Sequence, residues 1–110
     1  MSPILDVDND RVRKLFDVNV IAPISVAKAF TPLLIAAKGT IVNVGSYVDN
    51  LAVPWQGIYN ASKAALRAVT DNLRLEIRPF NVNVVYVRLP YFWLLLIQVP
   101  NRIIDRGRRN

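Results

Sequence analysis

Tyr59 and Lys63 stand four residues apart within residues 57–79, GIYNASKAALRAVTDNLRLEIRP. On a helix that spacing puts both side chains on one face, about one turn apart. A phenol titrating at about 10 is a poor acid or base near neutrality. A positive charge fixed beside it favours the phenolate and moves the pKa toward a useful value, so the pair could transfer a proton. The chain has no cysteine and no histidine, which excludes thiolate nucleophiles, zinc-thiolate sites and Ser/His/Asp triads. Proton chemistry has to come from Tyr, Lys, Asp or Glu. A Tyr-x-x-x-Lys spacing alone arises by chance in roughly one such sequence in seven, so its weight depends on the elements around it.

Those elements read as follows. Residues 58–78 form a predicted helix with Ala61, Ala64, Ala65 and Ala68 on one face, suited to close packing inside the domain or to a dimer surface. Leu66, Val69, Leu73 and Ile77 give its apolar face. Upstream, GTIVNV at 39–44 is a short β-branched run that fits a buried strand, and Gly45 and Ser46 follow it directly. A hydroxyl at the carboxyl end of a strand in an open α/β sheet lies where such sheets bind ligands; a turn or cap role is the alternative. Residues 47–56, with Pro54, have no clear period and read as a loop over the site, where Trp55 walls a pocket or covers the core. A second β-branched run at 82–87 makes the next strand. Strand, loop, helix and strand together form one parallel βαβ unit, expected to be right-handed.

Near the start, Asp6, Asp8 and Asp10 alternate like the first half of a calcium loop, but Arg11 occupies the place of the turn glycine and the bidentate Glu is missing. Helix capping by Asp8 or a neighbour is the better reading. Residues 12–30 carry a helical apolar stripe through Val12, Leu15, Phe16, Val20, Ile24, Ala27 and Phe30. Pro23 should bend that helix, and Asn19 one turn earlier is either a satisfied buried amide or a functional group. Pro32 predicts a fresh start, giving a short second helix over 31–37 that Lys38 and Gly39 end.

At 110 residues, 53% hydrophobic and 20% charged, the chain has the composition of one small globular domain. Half of its net charge of +6 sits in the last ten residues, NRIIDRGRRN, which lack interleaved aromatics; this predicts a solvated basic end and no nucleic-acid partner. Residues 89–99, LPYFWLLLIQV, are too short for a spanning helix of about 20 residues. They fit a buried strand, an apolar cover for the sheet, or an interfacial anchor whose basic tail touches anionic lipid. The opening MSPILDVDNDR has acids where a signal peptide would be basic and apolar, and the sequon at Asn60 falls inside a predicted helix, which makes it accidental.

The texts LFDVNV, GTIVNVGS, YNASKAAL and LRLEIRPFNVNVVYV occur in order, with Ser46 thirteen residues before Tyr59 and Asn19 in the preceding helix. Across residues 3–88 this is similar to the short-chain dehydrogenase/reductase superfamily. Within it, SPILDVD and KAFTPLLIAAKGTIVNVGS most resemble the fungal acyl-dihydroxyacetone-phosphate reductases. The resemblance implies an α/β fold: a partial Rossmann-like, doubly wound domain with a long helix plus one parallel βαβ unit. Residues 1–88 would be the catalytic part, and 89–110 a divergent apolar segment and basic tail. It implies NADP(H)-dependent carbonyl reduction, with Tyr59 as general acid and Lys63 as the residue that lowers its pKa and contacts the nicotinamide ribose. Ser46 would orient the carbonyl, and Asn19, at a helix bend, would hold a water in the proton relay. It implies a small carbonyl or alcohol substrate and a homo-oligomer packed through the Asn19 and Tyr59 helices. The expected location is intracellular, in the cytoplasm or at the surface of the ER or a lipid droplet, with lipid association left open. No G-x-G-x-x-G occurs, so the expectation is an incomplete fragment with impaired or no activity alone. The alternatives are a non-catalytic fragment that joins a full-length reductase, and a truncated product without function.

Overall fold

The computed structural model describes residues 2–90. The apolar run and the basic tail therefore lie beyond the described residues from position 91 onward.

Helix α1 spans Asn9–Phe16 and is capped by Asp8, whose carboxylate accepts the Asp10 amide at 3.3 Å, as the alternating acids suggest. The chain then widens into one π-helical turn over Asp17–Ile21 and continues as α2, Ala22–Ala37. The bend expected at Pro23 thus takes the form of a π-turn just ahead of it. Pro23 has no amide hydrogen for the Asn19 carbonyl four residues back, and its ring would press on that carbonyl in a regular helix.

The separate second helix expected over 31–37 is not formed: α2 runs through Pro32 without a break. The hydroxyl of Thr31 donates to the Ala27 carbonyl at 2.6 Å beside the gap that Pro32 leaves, and the helix absorbs the loss on a largely exposed face. The end comes where expected. Lys38 takes the left-handed conformation at φ 51°, while the Gly39 amide reaches back to the Leu34 carbonyl at 2.9 Å and the Lys38 amide to Ile35 at 3.3 Å.

Strand β1, Thr40–Ser46, and β2, Asn83–Leu89, pair in parallel, with Thr40 opposite Asn83 and Ser46 opposite Leu89. Between them come a 3₁₀ turn at Tyr47–Asn50 and helix α3, Gly57–Ile77. Alternation along the strands turns Ile41 and Val84 toward the helices, where a small core gathers Ile77, Val82 and Val84 with Leu34, Ile35, Ile41 and Leu73. Each fully buried aliphatic side chain there contributes about 1.5–3 kcal/mol of transfer free energy. Toward the carboxyl ends of the strands the contact between α3 and the sheet becomes polar: Ser62 and Thr70 are fully buried, and Asn60 and Lys63 nearly so. Asn43 donates to the Thr70 hydroxyl at 2.9 Å, and Thr70 donates to the Leu66 carbonyl at 2.7 Å. Those bonds satisfy groups that would otherwise be costly to bury.

Candidate active site

Three elements supply the four predicted residues. The π-turn carries Asn19, the end of β1 carries Ser46, and the first turns of α3 carry Tyr59 and Lys63. The loop leading into α3 is tightly set: Trp55 holds φ 70°, a left-handed backbone that bulky residues rarely adopt.

Lys63 donates from Nζ to the Val44 carbonyl at 3.1 Å, which ties α3 to β1 two residues before Ser46. The same nitrogen stands 5.8 Å from the centre of the Tyr59 ring, so the ammonium lies over the ring face, at the outer range of a cation–π contact. Burial holds the Lys63 pKa below the ordinary lysine value, since a desolvated ammonium is disfavoured.

Asn19 is partly buried and donates from Nδ2 to the Ser62 hydroxyl at 3.1 Å, which in turn donates to the Tyr59 carbonyl at 2.7 Å. The π-turn is thereby fastened to the turn of α3 that holds the Tyr/Lys pair. Ser46 is fully buried, and its hydroxyl oxygen accepts the Val48 amide at 3.4 Å, so it caps the 3₁₀ turn as well as ending the strand. Tyr59 lines a groove of about 460 Å³ with Val12, Leu15, Val18, Trp55 and Ile58, and with Arg11 and Lys14 at the side. Ser46, Lys63 and Asn19 do not line it. The structure gathers all four residues around the start of α3, and among the described residues this groove reaches Tyr59 but not the other three.

Sequence reasoning missed three polar residues here. Ser62 is the link between Asn19 and Tyr59, and its only sequence signal is a hydroxyl three residues after Tyr59, in range of that carbonyl. Asp49 and Tyr86 meet at 2.9 Å beneath the turn after Ser46, and nothing in their spacing announces it. Among the described residues no cluster of three or more Asp or Glu could hold a metal ion.

Among the residues that could hold a nicotinamide cofactor, Lys63 donates to the Val44 carbonyl and lies over the Tyr59 ring, and its ammonium has further hydrogens that could meet a hydroxyl. The pyrophosphate is not matched: the described residues include no glycine at positive φ and no glycine-rich turn feeding a helix.

Known proteins share the fold and much of the sequence. The sequence profile of the short chain dehydrogenase family matches residues 1–93. Short-chain dehydrogenase ptmH of Penicillium ochrochloron is 43% identical over 101 residues, covering 92% of this chain and 37% of that protein. The NADPH-dependent 1-acyldihydroxyacetone phosphate reductase of Schizosaccharomyces pombe is 46% identical over 86 residues, 78% of this chain and 29% of that one. The fold matches the crystal structure of a short chain dehydrogenase from Burkholderia cenocepacia in complex with NADP, with a TM-score of 0.77 and 33% identity over 82% of this chain and 38% of that one. The chain spans about a third of the length of the curated relatives it matches. The α/β, partial Rossmann-like reading agrees with these structures, and the chain belongs to the short-chain dehydrogenase family.

Proposed function

We propose that this chain carries the proton-handling part of an NADP(H)-dependent carbonyl reductase. The observation that supports it most directly is the Lys63 bond to the Val44 carbonyl. It sets the Tyr59/Lys63 helix against the strand that ends, two residues later, in Ser46. When bound, the nicotinamide supplies hydride to the carbonyl carbon. Tyr59 gives its phenolic proton to the oxygen as it becomes an alkoxide, and Lys63 stabilises the phenolate left behind. Ser46, whose hydroxyl oxygen accepts the Val48 amide, keeps its own hydrogen to donate to the same oxygen. Asn19, held by Ser62, orients the water that returns the proton to Tyr59.

The groove beside Tyr59 bears on the substrate. Its lining is apolar, with two cations at the side, which suits a ketone that carries an acyl chain and an anionic group. The named activity of the Schizosaccharomyces pombe relative has that chemistry. Nicotinamide fluorescence titration of the purified chain, followed by NADPH oxidation with an acylated keto-phosphate, tests the proposal. Saturable binding with ketone-dependent oxidation is expected, and flat traces in both assays overturn it.

A second reading follows from the exposed Val42, Val44 and Val85 on the sheet face away from α3, and from exposed Ala61 and Ala68 on α3. In it the chain joins a full-length reductase, or a second copy of itself, without catalysing anything. Co-purification with a full-length relative, with no turnover by the isolated chain, is its signature. The proposal places the protein inside the cell, in the cytoplasm or at an ER or lipid-droplet surface. The 29-residue helical stretch Asn9–Ala37 is long and apolar enough to cross a membrane by composition, and cell fractionation distinguishes these locations.

A further inference from the structure

A polar cluster with no part in the proposed chemistry lies under the turn that follows Ser46. The Asp49 side chain is fully buried. Arg88 donates from Nε to its Oδ2 at 3.1 Å and brings Nη2 within 3.0 Å of Oδ1, while Arg67 stands 3.6 Å from Oδ1. The Tyr86 hydroxyl donates to Oδ2 at 2.9 Å, and the Lys63 carbonyl, at 3.4 Å, is its weaker alternative acceptor. Burial, then the bond to Asp49 and its charge, push the Tyr86 pKa above the ordinary phenol value, which makes this phenol a weaker proton donor than a free one.

The ring has room only because residue 45 is glycine. A Cβ there would overlap both Oη and Cζ of Tyr86. Tyr86 thus touches Gly45 and Asp49 on either side of Ser46, and on its far side the main chain of Lys63. It reaches both proposed site residues without meeting the reacting atoms.

We propose that Tyr86 is a positioning residue: bonded to Asp49 and lodged against Gly45, it fixes the Ser46 strand end relative to the Lys63 turn of α3. The cluster contributes order, not proton transfer. For catalysis the inference rests on the carbonyl-reductase reading above. The geometric claim does not, and the two can be tested apart.

The experiment uses the full chain as wild type, Tyr86→Phe and Asp49→Asn. Lysine side chains are labelled with ¹³C at Cε, and Lys63→Met assigns the Lys63 signal. If Tyr86 sets the spacing, its loss lets water reach Nζ. The Lys63 titration midpoint then rises toward the ordinary lysine value by at least about half a pH unit in both variants. The thermal transition of Tyr86→Phe should remain cooperative. With ketone-dependent NADPH oxidation in the wild type, the same variants lower kcat about tenfold with KM within about twofold, as misplacement of reacting groups predicts. An unchanged Lys63 midpoint in Tyr86→Phe overturns the positioning role, even if the melting temperature falls. A wild type without oxidation counts against the reductase reading, and the Lys63 midpoint still decides the geometry. If Asp49→Asn fails to fold, Tyr86→Phe decides, because it keeps the ring against Gly45.

Discussion

Tyr59 and Lys63 are neighbours by helical spacing, yet their environments differ. Tyr59 faces a groove, whereas Lys63 is buried and donates a hydrogen bond to the main chain. Removing only the phenol oxygen tests the acid. Tyr59→Phe should lower ketone-dependent turnover by about 10²- to 10⁴-fold with little change in melting temperature, since the ring remains to pack. The lysine carries a linkage with a definite sign. Its folded pKa is below the unfolded value of 10.5, so between those two values the unfolded chain holds a proton that the folded chain has released. Stability therefore rises with pH across that window. Below the folded pKa, burying the charged form is a standing cost. Lys63→Met removes the titrating group, so denaturant melts taken at steps from pH 8 upward should show a rising midpoint in wild type and a flatter one in the variant. Equal slopes would mean that Lys63 is hydrated in the folded chain.

At the scale of elements, the sheet and α3 were legible because their signals are local. GTIVNV at 39–44 and VNVVYV at 82–87 are β-branched runs bounded by turn residues, and the observed strands, Thr40–Ser46 and Asn83–Leu89, each begin one residue later and end two residues later. Pro32 misled because proline in a helix is disfavoured on average, while this helix tolerates it on an exposed turn. Asp49 and Tyr86 were not legible at all. They are 37 residues apart and meet through the register that sets Asn43 opposite Tyr86 and Gly45 opposite Arg88, which no local pattern encodes. Substitutions at three positions test these elements. Gly45→Ala forces the Tyr86 ring out of its place and should destabilise by about 1–3 kcal/mol as an overpacked site. Adding Tyr86→Ala in the same chain should recover part of that loss, and strict additivity in urea melts would show that the two positions do not meet. Pro23→Ala restores an amide four residues after Asn19, so the π-turn can close to regular helix. The expected outcome is a higher melting temperature with the Asn19 side-chain amide released from Ser62, seen as faster hydrogen exchange of that NH₂ group.

At the scale of the whole molecule, the covered and uncovered faces of the sheet differ in kind. Ile41 and Val84 pack under α2 and α3, whereas Val42, Val44 and Val85 on the opposite face are 55%, 42% and 42% exposed. Among the described residues β1 pairs only with β2, which leaves its other edge open. Exposed β-branched side chains beside an unpaired edge are a template for pairing with another chain. The isolated protein should therefore self-associate as its concentration rises. A charge placed on that face discriminates the causes: Val42→Lys costs little where the valine is already half in water, but opposes sheet-to-sheet contact through repulsion between copies. Light scattering over a concentration series should show a smaller particle for Val42→Lys than for wild type, with the melting temperatures within a few degrees. A large drop in melting temperature with no change in size would mean instead that the face is covered within a single chain, and that its valines belong to the core.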